Sequence, residues 1–173
     1  MLGAPGTKVP RVTGKNLNGR TVRFPEDIRG RPALMLIAFR RYQQQDVDTW
    51  LGRMDDLRRV IPDLQVLELP VLRTSHLLVR SLIDGGMRNG IPDPEARART
   101  ITFYLDKKSF RKAFGLGPED RIFAVLADRE AAILDVQEGP ATDERVDAII
   151  KAHFGPRGDG EISSLLLTER AGT

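Results

Sequence analysis

An α/β domain with a central mixed sheet flanked by helices, opened by an N-terminal β-hairpin, is the fold class that three features of the sequence predict. One is the seven-residue apolar run Ala33 to Phe39, which suits a central strand covered on both faces. Another is the alternation of strand-like runs with stretches of helical spacing from there to Gly115, the mark of strand-helix-strand units. The third is the short link Asp128-Arg129-Glu130 between two late strand-like runs, which brings them together as an antiparallel pair. At 173 residues, 40% of them hydrophobic, the chain is expected to form one domain over residues 1 to 155, followed by a tail from 156 to 173.

Each element has a local reason. Asn18-Gly19 lies between Asn16-Leu17 and Thr21-Val22-Arg23-Phe24 and marks a hairpin turn. After the first core strand, Asp46 is placed to cap a helix whose apolar positions Val47, Trp50, Leu51, Met54, Leu57 and Ile61 recur at helical spacing, with Pro62 as its stop. A strand is expected over Leu64 to Leu69, with Pro70 ending its ladder or forcing a bulge. Ser75 is placed to cap a helix through Leu77, Leu78, Leu82 and Ile83 that ends at Gly85-Gly86. From there to Arg99, Gly90, Pro92 and Pro94 punctuate the loosest stretch, read as an insertion.

Thr100 to Leu105 is rich in strand formers, and a short helix follows, capped by Asp106 and closed by Gly115. Arg121 to Ala127 and Ala131 to Gln137 are the final strand pair. Thr142 is placed to cap a last helix carrying Val146, Ile149, Ile150 and Phe154, stopped by Gly155-Pro156.

Composition excludes more chemistry than it assigns. There is no cysteine, so no disulfide, no thiolate metal site and no thiol catalysis is available, because the thiolate is the nucleophile in all such reactions. The only two histidines, His76 and His153, lie far apart without a partner at metal spacing, so neither metal nor cofactor is expected. His153, near the end of a helix, suits the negative pole as a cation. The net charge of +3 neither requires an acidic partner nor supplies the basic run with interleaved aromatics of a nucleic-acid binder. The start lacks a signal-peptide pattern and no apolar run reaches the length of a membrane span, so a cytoplasmic protein without a transmembrane segment is expected.

The element order, with the words Asn16-Leu17-Asn18-Gly19-Arg20-Thr21-Val22, Ile28-Arg29-Gly30-Arg31-Pro32, Phe114-Gly115-Leu116, Val125-Leu126-Ala127-Asp128 and Gly139, resembles the thioredoxin-like fold in its peroxiredoxin and TlpA-type forms. The resemblance covers roughly residues 6 to 154. It breaks at the active site. The two thioredoxin cysteines would fall near Gln44 and Val47, and the peroxiredoxin proline, threonine and cysteine near Arg41, Gln45 and Asp48. The family's cis-proline is replaced by Ile122, Pro118 standing too early. The chain also resembles a cysteine-less branch, the mitochondrial ATP synthase assembly factor family, through Phe39-Arg40 with Gln44 or Gln45 and Trp50, then Thr102-Phe103-Tyr104, Val125 to Asp128, and Gly139.

That second resemblance implies a redox-inactive adaptor or assembly factor that binds a protein client, a hydrophobic subunit of a membrane complex. The expected binding loop is Arg40, Arg41, Tyr42, Gln43, Gln44 and Gln45, with Asp48 and Ile122 beside it. Side-chain amides there could pair with an extended peptide and either arginine with a carboxylate. The alternatives are a solvated loop that merely lost its thiols, and an enzyme or small-ligand binder using Arg40, Tyr42 and Asp48 in the same cleft. Trp50 is expected in the core, and of Phe103 and Tyr104 one faces inward and one outward. Lys107, Lys108, Arg111 and Lys112 read as the wet face of an amphipathic helix, with an anionic membrane surface as the other reading. A homodimer rests on analogy with peroxiredoxins.

Overall fold

The computed structural model describes residues 5 to 73 and 89 to 155. Seven strands form one sheet: β1 (Val12–Asn16), β2 (Thr21–Phe24), β3 (Ala33–Ala38), β4 (Gln65–Leu72), β5 (Ile101–Tyr104), β6 (Phe123–Ala127) and β7 (Ile133–Glu138), in the spatial order β2-β1-β5-β4-β3-β6-β7. Only β3 with β4 and β4 with β5 are parallel; every other pair is antiparallel. The helices are α1 (Gln44–Leu51), α2 (Met54–Val60), α3 (Pro94–Arg99), α4 (Lys107–Phe114) and α5 (Asp143–Phe154). The expected mixed sheet, flanked by helices and opened by a hairpin, is thus present. Among the described residues, no helix is long and apolar enough to cross a membrane.

Period-two alternation on the central strands splits the core in two. Met35, Ile37 and Phe39 face one side with Phe123 and Val125, packed under Phe110 and Phe114 of α4. Leu34 and Leu36 face the other with Ala124 and Leu126, under Trp50, Leu57, Val146, Ile149 and Ile150 of α1, α2 and α5. The first side is an aromatic network: Phe24 meets Phe103 edge-on at 5.3 Å, Phe39 meets Phe123 at 6.2 Å and Phe110 at 6.3 Å, and Phe110 stacks on Phe114 at 4.7 Å. Such contacts add to area burial, itself worth about 1.5–3 kcal/mol per ring.

Local signals act as the sequence predicts at several turns. Gly19 adopts φ 87° in the hairpin turn, where Asn16 Oδ1 accepts from the amides of Asn18 (3.1 Å) and Arg20 (2.9 Å). Asp106 caps α4 by accepting from Ser109 N at 2.8 Å, and Gly115 ends it at φ 68°. Thr142 caps α5 through Arg145 N at 3.2 Å. Trp50 is fully buried and its indole N–H donates to Gly139 O at 3.0 Å. Phe103 is buried and Tyr104 half-exposed.

Five expectations need correction. The helix expected from Asp46 begins earlier, at Gln44, after a 3-10 turn over Arg41–Gln43, so Asp46 lies in its first turn. That helix is also two: at Gly52, the poorest helix former in the run, the ladder tightens and Arg53 N bonds Trp50 O at 3.0 Å. Pro70 does not end its strand; it stands opposite Ala38, the last residue of β3, and β4 continues beyond it to pair Val71 with Phe103. The missing N–H is tolerated because the β3 ladder stops there.

The stretch before Arg99 holds a helix, since Asp93 accepts from Glu95 N at 3.0 Å and Pro94 occupies the first helical position, a start signal rather than a breaker. His153 is not poised as a cation: burial, then the charge of Arg129, lowers its pKa below the ordinary 6.5. The helix expected at Ser75 to Ile83, His76, and the tail lie outside the described residues.

Candidate functional site

The candidate site lies at the C-terminal end of β3, the end of an open α/β sheet where ligands usually bind. Backbone demands shape it first. After Phe39 the chain must turn into α1, and Gln43, only 2% exposed, staples that turn. Its Oε1 accepts from Phe39 N (2.8 Å) and Arg40 N (3.1 Å), and its Nε2 donates to Glu119 O (2.8 Å) across the sheet end. Arg40 adds an ion pair to Glu119 Oε1 at 2.8 Å, and Lys107 Nζ donates to Phe39 O at 2.6 Å. Two segments distant in sequence, at Lys107 and Glu119, thus help Gln43 to hold the loop.

Around this staple the other predicted residues separate into two groups. Arg40, Arg41, Tyr42, Gln44, Gln45 and Asp48 are exposed, Tyr42 at 66% being the exposed large hydrophobic side chain of the described residues. Ile122 is fully buried in the α1 side of the core, and its carbonyl accepts from Gly139 N at 2.9 Å. Gln43 holds the loop from within, and neither it nor Ile122 presents a side chain to a partner.

Beside the loop, on the α1 side of the sheet, opens a cleft of about 790 Å³. Its walls include half-buried Ala38, Pro70, Leu72 and Ile91, and exposed Arg40, Arg41 and Gln44 rim it. Its floor holds Glu68, 8% exposed, opposite Leu36 in the β3–β4 register. The Glu68 carboxylate is neutralised: Oε2 faces Arg99 Nε at 3.3 Å and Thr100 Oγ1 at 3.4 Å, and Oε1 faces Gln44 Nε2 at 3.4 Å. Gln44 also donates to Asp48 Oδ1 at 3.0 Å. A buried carboxylate so paired contributes position rather than reactivity.

Sequence reasoning missed Glu68, Arg99, Glu119 and the special role of Lys107. Glu68 alone carried a legible signal, a lone charge inside an apolar strand run. Glu119 is 76 residues from Gln43, and nothing local announces that contact.

No protein-family model matches the chain, and no curated protein matches it. Solved structures do. A thiol:disulfide interchange protein from Bacteroides sp. superposes with a TM-score of 0.58 at 17% identity, over 92% of this chain and 96% of its own. The pneumococcal exposed lipoprotein thioredoxin from Streptococcus pneumoniae gives 0.54 at 13% identity, over 82% and 98%. The thioredoxin domain of a thiol-disulfide oxidoreductase from Bacteroides vulgatus gives 0.50 at 18%, over 86% and 96%. The chain therefore has a thioredoxin-like fold. It has that fold with no cysteine in its sequence.

Proposed function

We propose that this chain is a redox-inactive thioredoxin-like domain that binds a protein client, as an adaptor or assembly factor. The observation that carries the reading is an apolar-walled cleft beside the former active-site loop, in a chain that has no thiol for the chemistry of that fold. Arg40, Arg41, Tyr42, Gln44, Gln45 and Asp48 contact the client, while Gln43 holds the loop and Ile122 stays in the core. An apolar segment lies along Ala38, Pro70 and Leu72, and the glutamine amides pair with its backbone. The resemblance to the mitochondrial ATP synthase assembly factors supports a hydrophobic subunit of a membrane complex as client, met from the cytoplasmic side.

The experiment places a photoreactive side chain at Tyr42, and at Lys151 as a remote control, and irradiates the full chain with soluble and membrane extracts. A product specific to position 42 that disappears in Gln44→Ala/Gln45→Ala is expected. Equal labelling from both positions, or thiol-dependent peroxide consumption by the purified chain, overturns the reading.

A second reading, a small-ligand binder or non-thiol enzyme, draws on one feature: the buried Glu68 carboxylate at the cleft floor with Arg99 and Thr100. Ligand-dependent stabilisation abolished by Glu68→Gln, together with no client at position 42, would favour it.

A further inference from the structure

On the other side of the sheet end, a second and smaller cavity of about 240 Å³ is lined by Arg73, Asp106, Lys107, Lys108, Arg111 and Glu119. These come from three segments: the residue after β4, the first turns of α4 with its cap, and the loop before β6. Cations on the wet face of a helix normally spread into solvent. Here four converge on one concavity.

Their charge is only partly offset within the site. Among the described residues, no carboxylate lies within ion-pair distance of Arg73, Lys107, Lys108 or Arg111. Among the described residues, Lys107 and Arg111 bond only carbonyl oxygens, Phe39 O at 2.6 Å and Gly117 O at 3.0 Å. The Arg111 Nε is buried with no hydrogen-bond partner in the structure, a state that ordinarily calls for an explanation. The two carboxylates of the lining are spent elsewhere: Asp106 Oδ1 accepts from both Ser109 N and Ser109 Oγ at 2.8 Å, and Glu119 holds Arg40. Both bonds to Ser109 and the charges of Arg73 and Lys108 hold the Asp106 carboxyl below its ordinary range, so it stays anionic and already engaged.

With Glu119 paired to Arg40, four cations against the one remaining carboxylate, Asp106, leave the described lining a formal charge of +3. A dianion offsets more of that charge than a monoanion does. Guanidinium and ammonium donors together suit tetrahedral oxygens. We infer that the cavity formed by Arg73, Lys107, Lys108 and Arg111 is a binding site for a divalent oxyanion of the phosphoryl class, free or as a phosphate monoester. Arg40, bridged to Glu119 on this side and rimming the apolar cleft on the other, stands between the two sites.

The test is an amide-resolved NMR titration of the full chain at constant ionic strength with inorganic phosphate, glycerol phosphate and, as monoanion control, acetate. Saturable shifts confined to residues around Arg73, 106 to 111 and Glu119 are expected with phosphate and not with acetate. Arg73→Gln/Lys108→Gln, both exposed positions, should weaken binding by at least about tenfold with the spectrum otherwise unchanged. Lys151→Gln should leave it as it was. Tighter binding of glycerol phosphate identifies the monoester as the source, and equal or weaker binding the free anion; either supports the phosphoryl class. Non-saturating shifts, equal shifts with acetate, or saturation indifferent to the double substitution overturn the proposal.

Discussion

Phe39 and Ala38 are neighbours at the end of one strand, and the two sides of the sheet they serve are built in opposite ways. Phe39, 1% exposed, is locked between Phe110 and Phe123. That side is closed, and what lies beyond it is a polar, cationic cavity. Ala38 points the other way, is half-buried, and leaves a cleft against Pro70 and Leu72. Strand periodicity sends consecutive side chains to opposite faces. Both faces carry core further along the strand, but at its end the large ring of Phe39 fills its side while the small Ala38 leaves a cleft on the other.

Replacing Phe39 with Ala is the largest blow to the closed side. It should cost about 3–5 kcal/mol in urea unfolding, since it removes a fully packed ring and leaves a cavity between Phe110 and Phe123. A loss under about 1 kcal/mol would mean that the two sides are packed alike.

Gln43→Ala attacks the staple between the sides. It leaves Phe39 N, Arg40 N and Glu119 O without their partner and should cost about 1–3 kcal/mol, with faster amide exchange at Phe39 and Arg40. Unchanged exchange there would show that the loop holds itself.

Ala38→Leu is the converse of the first substitution. On the open side the added atoms have room, so stability should stay within about 1 kcal/mol, while cross-linking of a client from position 42 should fall because the cleft is filled. Strong destabilisation would show that side to be closed as well. Arg40→Gln should change stability by less than about 1 kcal/mol, its ion pair being 47% and 30% exposed on its two partners.

Smallest is the response to acid at the α4 cap. The Asp106 carboxyl titrates below its ordinary 3.8, chiefly because it accepts hydrogen bonds from Ser109. A carboxyl lowered by folding stabilises fully above its unfolded value and loses that contribution as pH falls through the folded one. Protection of the Ser109 amide should therefore hold above 3.8 and decline below it, while Asp106→Asn flattens the profile. His153 works in the same direction at higher pH: lowered below 6.5 by burial, it makes the chain less stable as pH falls from 6.5 through its folded value, and His153→Gln should remove that slope from urea midpoints.

Elements that depend on contiguous residues were legible. The hairpin needs Asn18-Gly19, α4 needs Asp106 and Gly115, α5 needs Thr142, and β3 needs an unbroken apolar run; each signal acts within a few residues of its effect. The site was legible only as a location. Gln43 reads as one more exposed amide in Gln43-Gln44-Gln45, and its burial depends on Glu119 reaching the same sheet end. Ile122 reads as a substitute for a proline at a docking edge, and its side chain instead follows the β6 alternation into the core.

By itself the sequence determined the sheet and its flanking helices, the turns, and the impossibility of thiol chemistry, because backbone propensity, period and the presence of a sulfur atom are properties of local composition. Tertiary structure alone decided which glutamine is structural, that the buried Glu68 is paired with Arg99 and hydrogen-bonded by Thr100, and that four cations from separate segments share one cavity. These depend on pairing residues tens of positions apart, and that pairing is settled only when the strands close into one sheet and bring their loops to a common end.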